Sequence, residues 1–121
     1  MRALLVVTLL FFPMACATGK SPRPERTGFN EMLRAAERGD SMARVVVGYS
    51  YYFGEYRDGM EVEQNVDRAY AWASLANYQG NPEAQKLLNL VIPRLKDREA
   101  ADTLAGQYFL KYGAERGSAV K

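Results

Sequence analysis

Residues 35–84 read AAERGDSMARVVVGYSYYFG, then EYRDGMEVEQN, then VDRAYAWASLANYQGNPEA. The junction Ala35-Ala36-Glu37-Arg38-Gly39-Asp40-Ser41-Met42-Ala43 returns as Ala76-Asn77-Tyr78-Gln79-Gly80-Asn81-Pro82-Glu83-Ala84. Aligning Gly39 with Gly80 also pairs Ala35 with Ala76, Asp40 with Asn81, Ala43 with Ala84 and Val47 with Leu88. A self-match at a fixed offset marks a stacked-repeat architecture, in which each unit buries its apolar face against the next.

Working outward, each side of the stretch is helical. Phe29, Met32, Leu33 and Ala36 fall at i, i+3, i+4 and i+7, one apolar stripe. Gly39 suits the left-handed residue that ends such a helix, and Asp40 suits the N-cap of the next, which runs to about Phe53. Its β-branched Val45-Val46-Val47 and aromatic Tyr49–Phe53 would by themselves suit a strand. The preceding cap and the repeat alignment override that local preference. Gly54–Asn65 reads as a loop, with Gly54, Gly59 and no periodicity. A helix follows from Val66 to Gln79, and Gly80 ends it. Asn81-Pro82 opens another, Asn as cap and Pro at the first helical position. Pro93 stops or kinks that helix. Asp97 caps a last one to about Tyr112, and 113–121 is a polar tail. The expectation is an all-α, α/α helical-repeat protein of about five helices after an N-terminal signal segment.

That segment is residues 1–17. Arg2 supplies a positive start, Ala3–Phe12 is apolar except for Thr8, and Ala15-Cys16-Ala17 follows Pro13. This is the layout of a secretory signal peptide, too short to span a bilayer. Cleavage after Ala17 and lipidation of Cys16 both fit. The second resembles a bacterial lipobox, with Pro13 and Met14 departing from its usual residues. Residues 18–28 (TGKSPRPERTG) read as an extended linker, which suits a tether. The helical-repeat domain is then 29–112.

Composition narrows the chemistry. The chain has 121 residues, net charge +2, one Cys and no His. A near-neutral mature chain gives no basis for electrostatic capture of nucleic acid. One Cys excludes an intrachain disulfide framework, and the absence of His removes the commonest general base and metal ligand. The expectation is a non-enzyme, with no cofactor and no metal.

Two segments carry a family resemblance. Ala43–Gly54 (ARVVVGYSYYFG) resembles the first helix of a Sel-one-like repeat, a relative of the tetratricopeptide repeat, whose pattern is Ala-Gln-x-x-Leu-Gly-x-x-Tyr-x-x-Gly. Val62–Gly80 (VEQNVDRAYAWASLANYQG) resembles its second half, with Ala69, Trp72, Ala76 and Gly80 matching. Arg44 departs from the usual Gln, and Glu63 and Asn65 from the usual Pro and Asp. Extra loop residues around Glu55–Asp58 stretch the offset to 41 residues (80 − 39). Asn89 stands where the first unit has Gly48. The paired cysteines of some secreted members are missing.

The resemblance implies a superhelix whose first helices line a concave face, which makes Arg44 and Gln85 candidates for partner contact. Tyr49, Tyr52 and Tyr56 are further candidates, since tyrosine combines apolar area with a hydroxyl. Tyr51, Phe53 and Trp72 read as core. Glu61 and Glu63 form a nominal carboxylate pair on the loop, most simply explained as solvated. The functional expectation is an exported, periplasmic adaptor or scaffold binding another protein, with membrane attachment only through a lipid on Cys16. Self-association is open, because fewer than two clean repeats are present where about three are usually needed. The alternative is a cell-wall (peptidoglycan or glycan) binding accessory or an enzyme-associated protein.

Overall fold

The computed structural model describes residues 24–113. Five α-helices are present among them: α1 (Pro24–Glu37), α2 (Ser41–Phe53), α3 (Val66–Tyr78), α4 (Pro82–Val91) and α5 (Arg98–Tyr108). A π turn, Phe109–Gly113, continues α5, and a 3-10 turn, Ile92–Arg94, follows α4 where Pro93 denies the helix a donor. The fold is all-α, as the periodicity predicts. The signal segment, Cys16, most of the linker and the tail beyond Gly113 lie outside the described residues.

The repeat is visible atom by atom at the two junctions. Gly39 and Gly80 both have positive φ, 109° and 90°. The amide of Gly39 donates to the Ala36 oxygen and that of Asp40 to the Ala35 oxygen; Gly80 donates to Asn77 and Asn81 to Ala76. Each pair closes the preceding helix in the same six-to-one and five-to-two arrangement, which satisfies carbonyls the helix leaves open. Asp40 Oδ1 then accepts from the Ala43 amide at 3.0 Å, and Asn81 Oδ1 from the Glu83 amide at 2.8 Å. The junctions also touch each other. Gln79 Nε2 donates to the Gly39 carbonyl at 2.8 Å, and Asn81 Nδ2 to Ser41 Oγ at 3.1 Å.

Two sequence-based boundaries change. Helix α1 begins at Pro24, inside the expected 18–28 linker, because Pro fits a first helical turn and the helix continues to the anchor Phe29. The 54–65 loop is also not irregular throughout. Two short strands, β1 (Glu55–Tyr56) and β2 (Met60–Glu61), pair antiparallel, Glu55 opposite Glu61 and Tyr56 opposite Met60. Asp58 and Gly59 take positive φ between them, 55° and 80°, residue types that tolerate the left-handed region in tight hairpins. Asn65 donates to the Tyr51 carbonyl at 2.9 Å and caps α3 through Arg68, fixing the loop's far end.

Helix α3 is the centre. α2, α4 and α5 all pack on it, and α1 packs on α2. Ala69, Ala73 and Ala76 are fully buried, so neighbouring axes approach closely. Gly48 sits at the tightest point. A Cβ there would lie 2.6 Å from Leu87 Cδ2 and 3.4 Å from the Ala69 oxygen. Helix α5 lies along α3 rather than along its sequence neighbour α4. No described helix is long and apolar enough to cross a membrane.

Candidate functional site

Arg44 is not a surface contact. It is 1% exposed. Its Nε donates to the Ala36 carbonyl at 2.8 Å, Nη1 to Gln79 Oε1 at 3.0 Å and Nη2 to the Tyr112 carbonyl at 2.9 Å. These acceptors lie at the ends of α1, α3 and the α5 extension. Helix C-termini carry unpaired carbonyls and partial negative charge, so a forked cation among three of them is both satisfied and favoured. Its place on α2 follows from spacing, because Arg44, Gly48 and Tyr51 share one inward stripe at i, i+4 and i+7.

Tyr56 is also buried rather than presented. It packs edge-on against Phe29, centroids 5.6 Å apart, and closes the hairpin onto α1. Phe53, expected in the core, is 60% exposed. It lies on the opposite α2 face with Tyr49, one turn earlier. Their rings stack at 6.1 Å, and Tyr52 meets Phe53 edge-on at 4.9 Å. Arg94 Nη1 donates to the Tyr52 hydroxyl at 3.3 Å, with its guanidinium 5.7 Å from the ring centroid. Tyr49 and Tyr52 are half-buried, so the group is a braced platform with Phe53 at its tip. Gln85 is exposed on α4 and donates to Asn89 Oδ1 at 3.1 Å. Tyr51 and Trp72 are core, as expected. Glu61 and Glu63 are exposed on the loop and line a shallow surface hollow with Phe53 and Gln64. Among the described residues, no group of three or more His, Cys, Asp or Glu could hold a metal ion.

A second feature escaped the sequence reading. A cleft of about 330 Å³ lies between α1 and α5, with Leu33 and Glu37 on one wall and Tyr108 and Lys111 on the other. Its floor is Tyr51, Arg68 and Trp72. It adjoins a smaller cavity of about 220 Å³ that shares Leu33, Tyr51 and Arg68 and reaches the 60–63 segment. Trp72 stacks on Tyr112 at 5.2 Å and meets Tyr108 edge-on at 5.0 Å. Burial pushes the Tyr108 hydroxyl above the usual phenol range, against the opposing pull of Arg68. The hydrogen bond to Tyr51, 3.5 Å long, raises the Arg68 pKa. Trp72 Nε1 is buried with no acceptor among the described residues, which typically costs about 1–3 kcal/mol. The signal available beforehand was the Arg68–Trp72 spacing, which places both on one face of a helix. That α5 would form the far wall was not readable locally.

Tyr70 and Asp102 tie α3 to α5 beyond this cleft. The Tyr70 hydroxyl donates to Asp102 Oδ1 at 2.6 Å, and Arg98 Nε donates to the same oxygen at 3.3 Å. Burial raises the Tyr70 pKa, while the Tyr70 hydrogen bond lowers that of Asp102.

Among solved structures, the chain is similar to a protective antigen present in uropathogenic Escherichia coli strains and displaying an SLR fold. The TM-score is 0.65 and the identity 29%, over 80% of this chain and 21% of that one. The chain therefore spans about a fifth of the length of that structure. No family model and no curated protein matches the sequence.

Proposed function

We propose that this chain, an all-α protein with the Sel-one-like repeat (SLR) fold, is an exported adaptor that binds a partner protein through the Tyr49–Tyr52–Phe53 platform. The observation that carries the reading is Phe53, a large apolar ring 60% exposed, stacked on Tyr49 and met edge-on by Tyr52. Braced, exposed aromatics with an arginine at their edge are the residue types that dominate protein interfaces. Their rigidity lowers the entropy lost when a partner binds. Export is supported by the leader in residues 1–17 and by the description of the similar protein as an antigen.

The test is crosslinked capture from the native envelope with the wild-type chain and with Phe53→Ser, a substitution at an exposed site that leaves the helix intact. The expected result is a defined protein recovered by wild type and lost with Phe53→Ser. Equal recovery by both would refute the platform as the interface. Retention of wild type on peptidoglycan, with no protein recovered, would replace the reading by glycan binding.

A further inference from the structure

The cleft between α1 and α5 shares no residue with the aromatic platform, and its chemistry is different. Arg68 and Trp72 are one turn apart on the same face of α3. Arg68 is exposed, reaches the Tyr51 hydroxyl at 3.5 Å and forms no salt bridge among the described residues. Lys111, over the Tyr112 ring at 5.4 Å, forms none either. The Trp72 indole N–H is a buried donor without an acceptor among the described residues. The Tyr108 hydroxyl, like any phenol protonated at neutral pH, can also donate, and burial raises its pKa further. The opposing groups are Glu37 on the α1 wall and Glu63 on the loop, whose field adds to the raised Arg68 pKa without an ion pair. Positive charge on Arg68 and Lys111 and the hydroxyl donor of Tyr108 therefore meet in one cleft, lined also by the aromatic rings of Tyr51, Trp72 and Tyr112. The volume falls at the lower end of small-ligand sites, which run from about 300 to 1,000 Å³.

We propose that this cleft binds a carboxylate carried on a small planar apolar group, with the carboxylate on Arg68 and the apolar body against Trp72 and Tyr108. An ionised acceptor on a guanidinium makes a stronger hydrogen bond than a neutral one, and the planar fork matches a carboxylate. A free organic acid and the chain end of a peptide both offer this group.

Trp72 is the one tryptophan of the chain, so its indole gives one assignable cross-peak in a nitrogen–proton correlation spectrum. That peak is followed while adding phenylacetate, phenylacetamide or N-acetylglycyl-L-phenylalanine. Phenylacetate is expected to move it saturably with a dissociation constant of about 1 mM or below. Phenylacetamide should bind about tenfold more weakly, and Arg68→Gln, with an otherwise wild-type spectrum, should abolish that preference. Glu63→Gln should bind phenylacetate about two- to threefold more tightly, having lost a competing charge. Tighter binding of the dipeptide than of phenylacetate assigns the carboxylate to a chain end; weaker binding assigns it to a free acid. No movement of the indole peak up to about 20 mM phenylacetate overturns the proposal. So does equal affinity for acid and amide, or undiminished binding by folded Arg68→Gln.

Discussion

Arg44 Nη2 donates to the main-chain oxygen of Tyr112 at 2.9 Å, joining positions 68 residues apart. The same guanidinium holds Ala36 and Gln79, so one side chain gathers the ends of three helices. Beyond that knot, α1 and α5 form the opposite walls of the aromatic cleft.

Replacing this residue should therefore be costly. Arg44→Met keeps most of the volume but removes three hydrogen bonds to buried and partly buried acceptors, of which the Ala36 oxygen keeps the Gly39 amide, and is expected to lower unfolding stability by about 1–3 kcal/mol. Arg44→Lys should recover little of this, because an ammonium cannot serve three fixed acceptors as a planar fork does. Urea unfolding followed by far-ultraviolet circular dichroism measures both. A loss below about 0.5 kcal/mol for either would contradict the role assigned here.

Gly48 sets the approach of α2 to α3 and α4. Gly48→Ala should destabilise by about 1–3 kcal/mol through overpacking, despite the better helix propensity of Ala. The clash is with Leu87 Cδ2, so Gly48→Ala combined with Leu87→Ala should cost less than the sum of the two single changes. A double-mutant cycle on unfolding free energies checks this; strict additivity would place the strain elsewhere.

Alkaline pH should weaken the α3–α5 contact. Tyr70 and Tyr108 both have raised pKa values, caused first by burial. A raised phenol pKa means the unfolded chain releases the proton earlier. The stability these groups provide is complete below the unfolded value, about 10, and is lost as pH rises through the folded one. Thermal melts between about pH 8 and 11 should fall more steeply for wild type than for Tyr108→Phe. Asp102 has the opposite sign. Its lowered pKa gives stability that is present above the ordinary carboxylate range and is lost as pH falls through the folded value.

Export makes a prediction at the other end of the chain. Mass spectrometry of the mature protein should find either a lipid-modified Cys16 or a free Thr18 at its amino terminus. Recovery of an intact Met1 would remove the export part of the proposed function.

The correct and incorrect sequence readings divide along a physical line. Gly39, Asp40, Gly80 and Asn81 were readable because turns and caps depend on backbone conformation and on groups within a few residues. The same locality made Asp97 readable as a cap, and its Oδ1 accepts from the Ala100 amide at 3.0 Å. Arg44 and Phe53 were misplaced because composition describes what a side chain is, not which neighbour its helix face meets. Arg44 looked like a surface charge and Phe53 like core. The inward stripe of Arg44, Gly48 and Tyr51 held the correction for the first, but only with the helix orientation known.

By itself, then, the sequence determined the helices, their junctions and the repeat that names the fold, since all of these rest on short-range hydrogen bonds and a periodic apolar stripe. Only the tertiary structure decided that α5 lies along α3 instead of α4, and so that an aromatic cleft exists beside Trp72. That choice depends on long-range packing: the Trp72 contacts with Tyr108 and Tyr112, the Tyr70–Asp102 hydrogen bond and the Arg44 knot act together, and none of them is visible from its sequence neighbours.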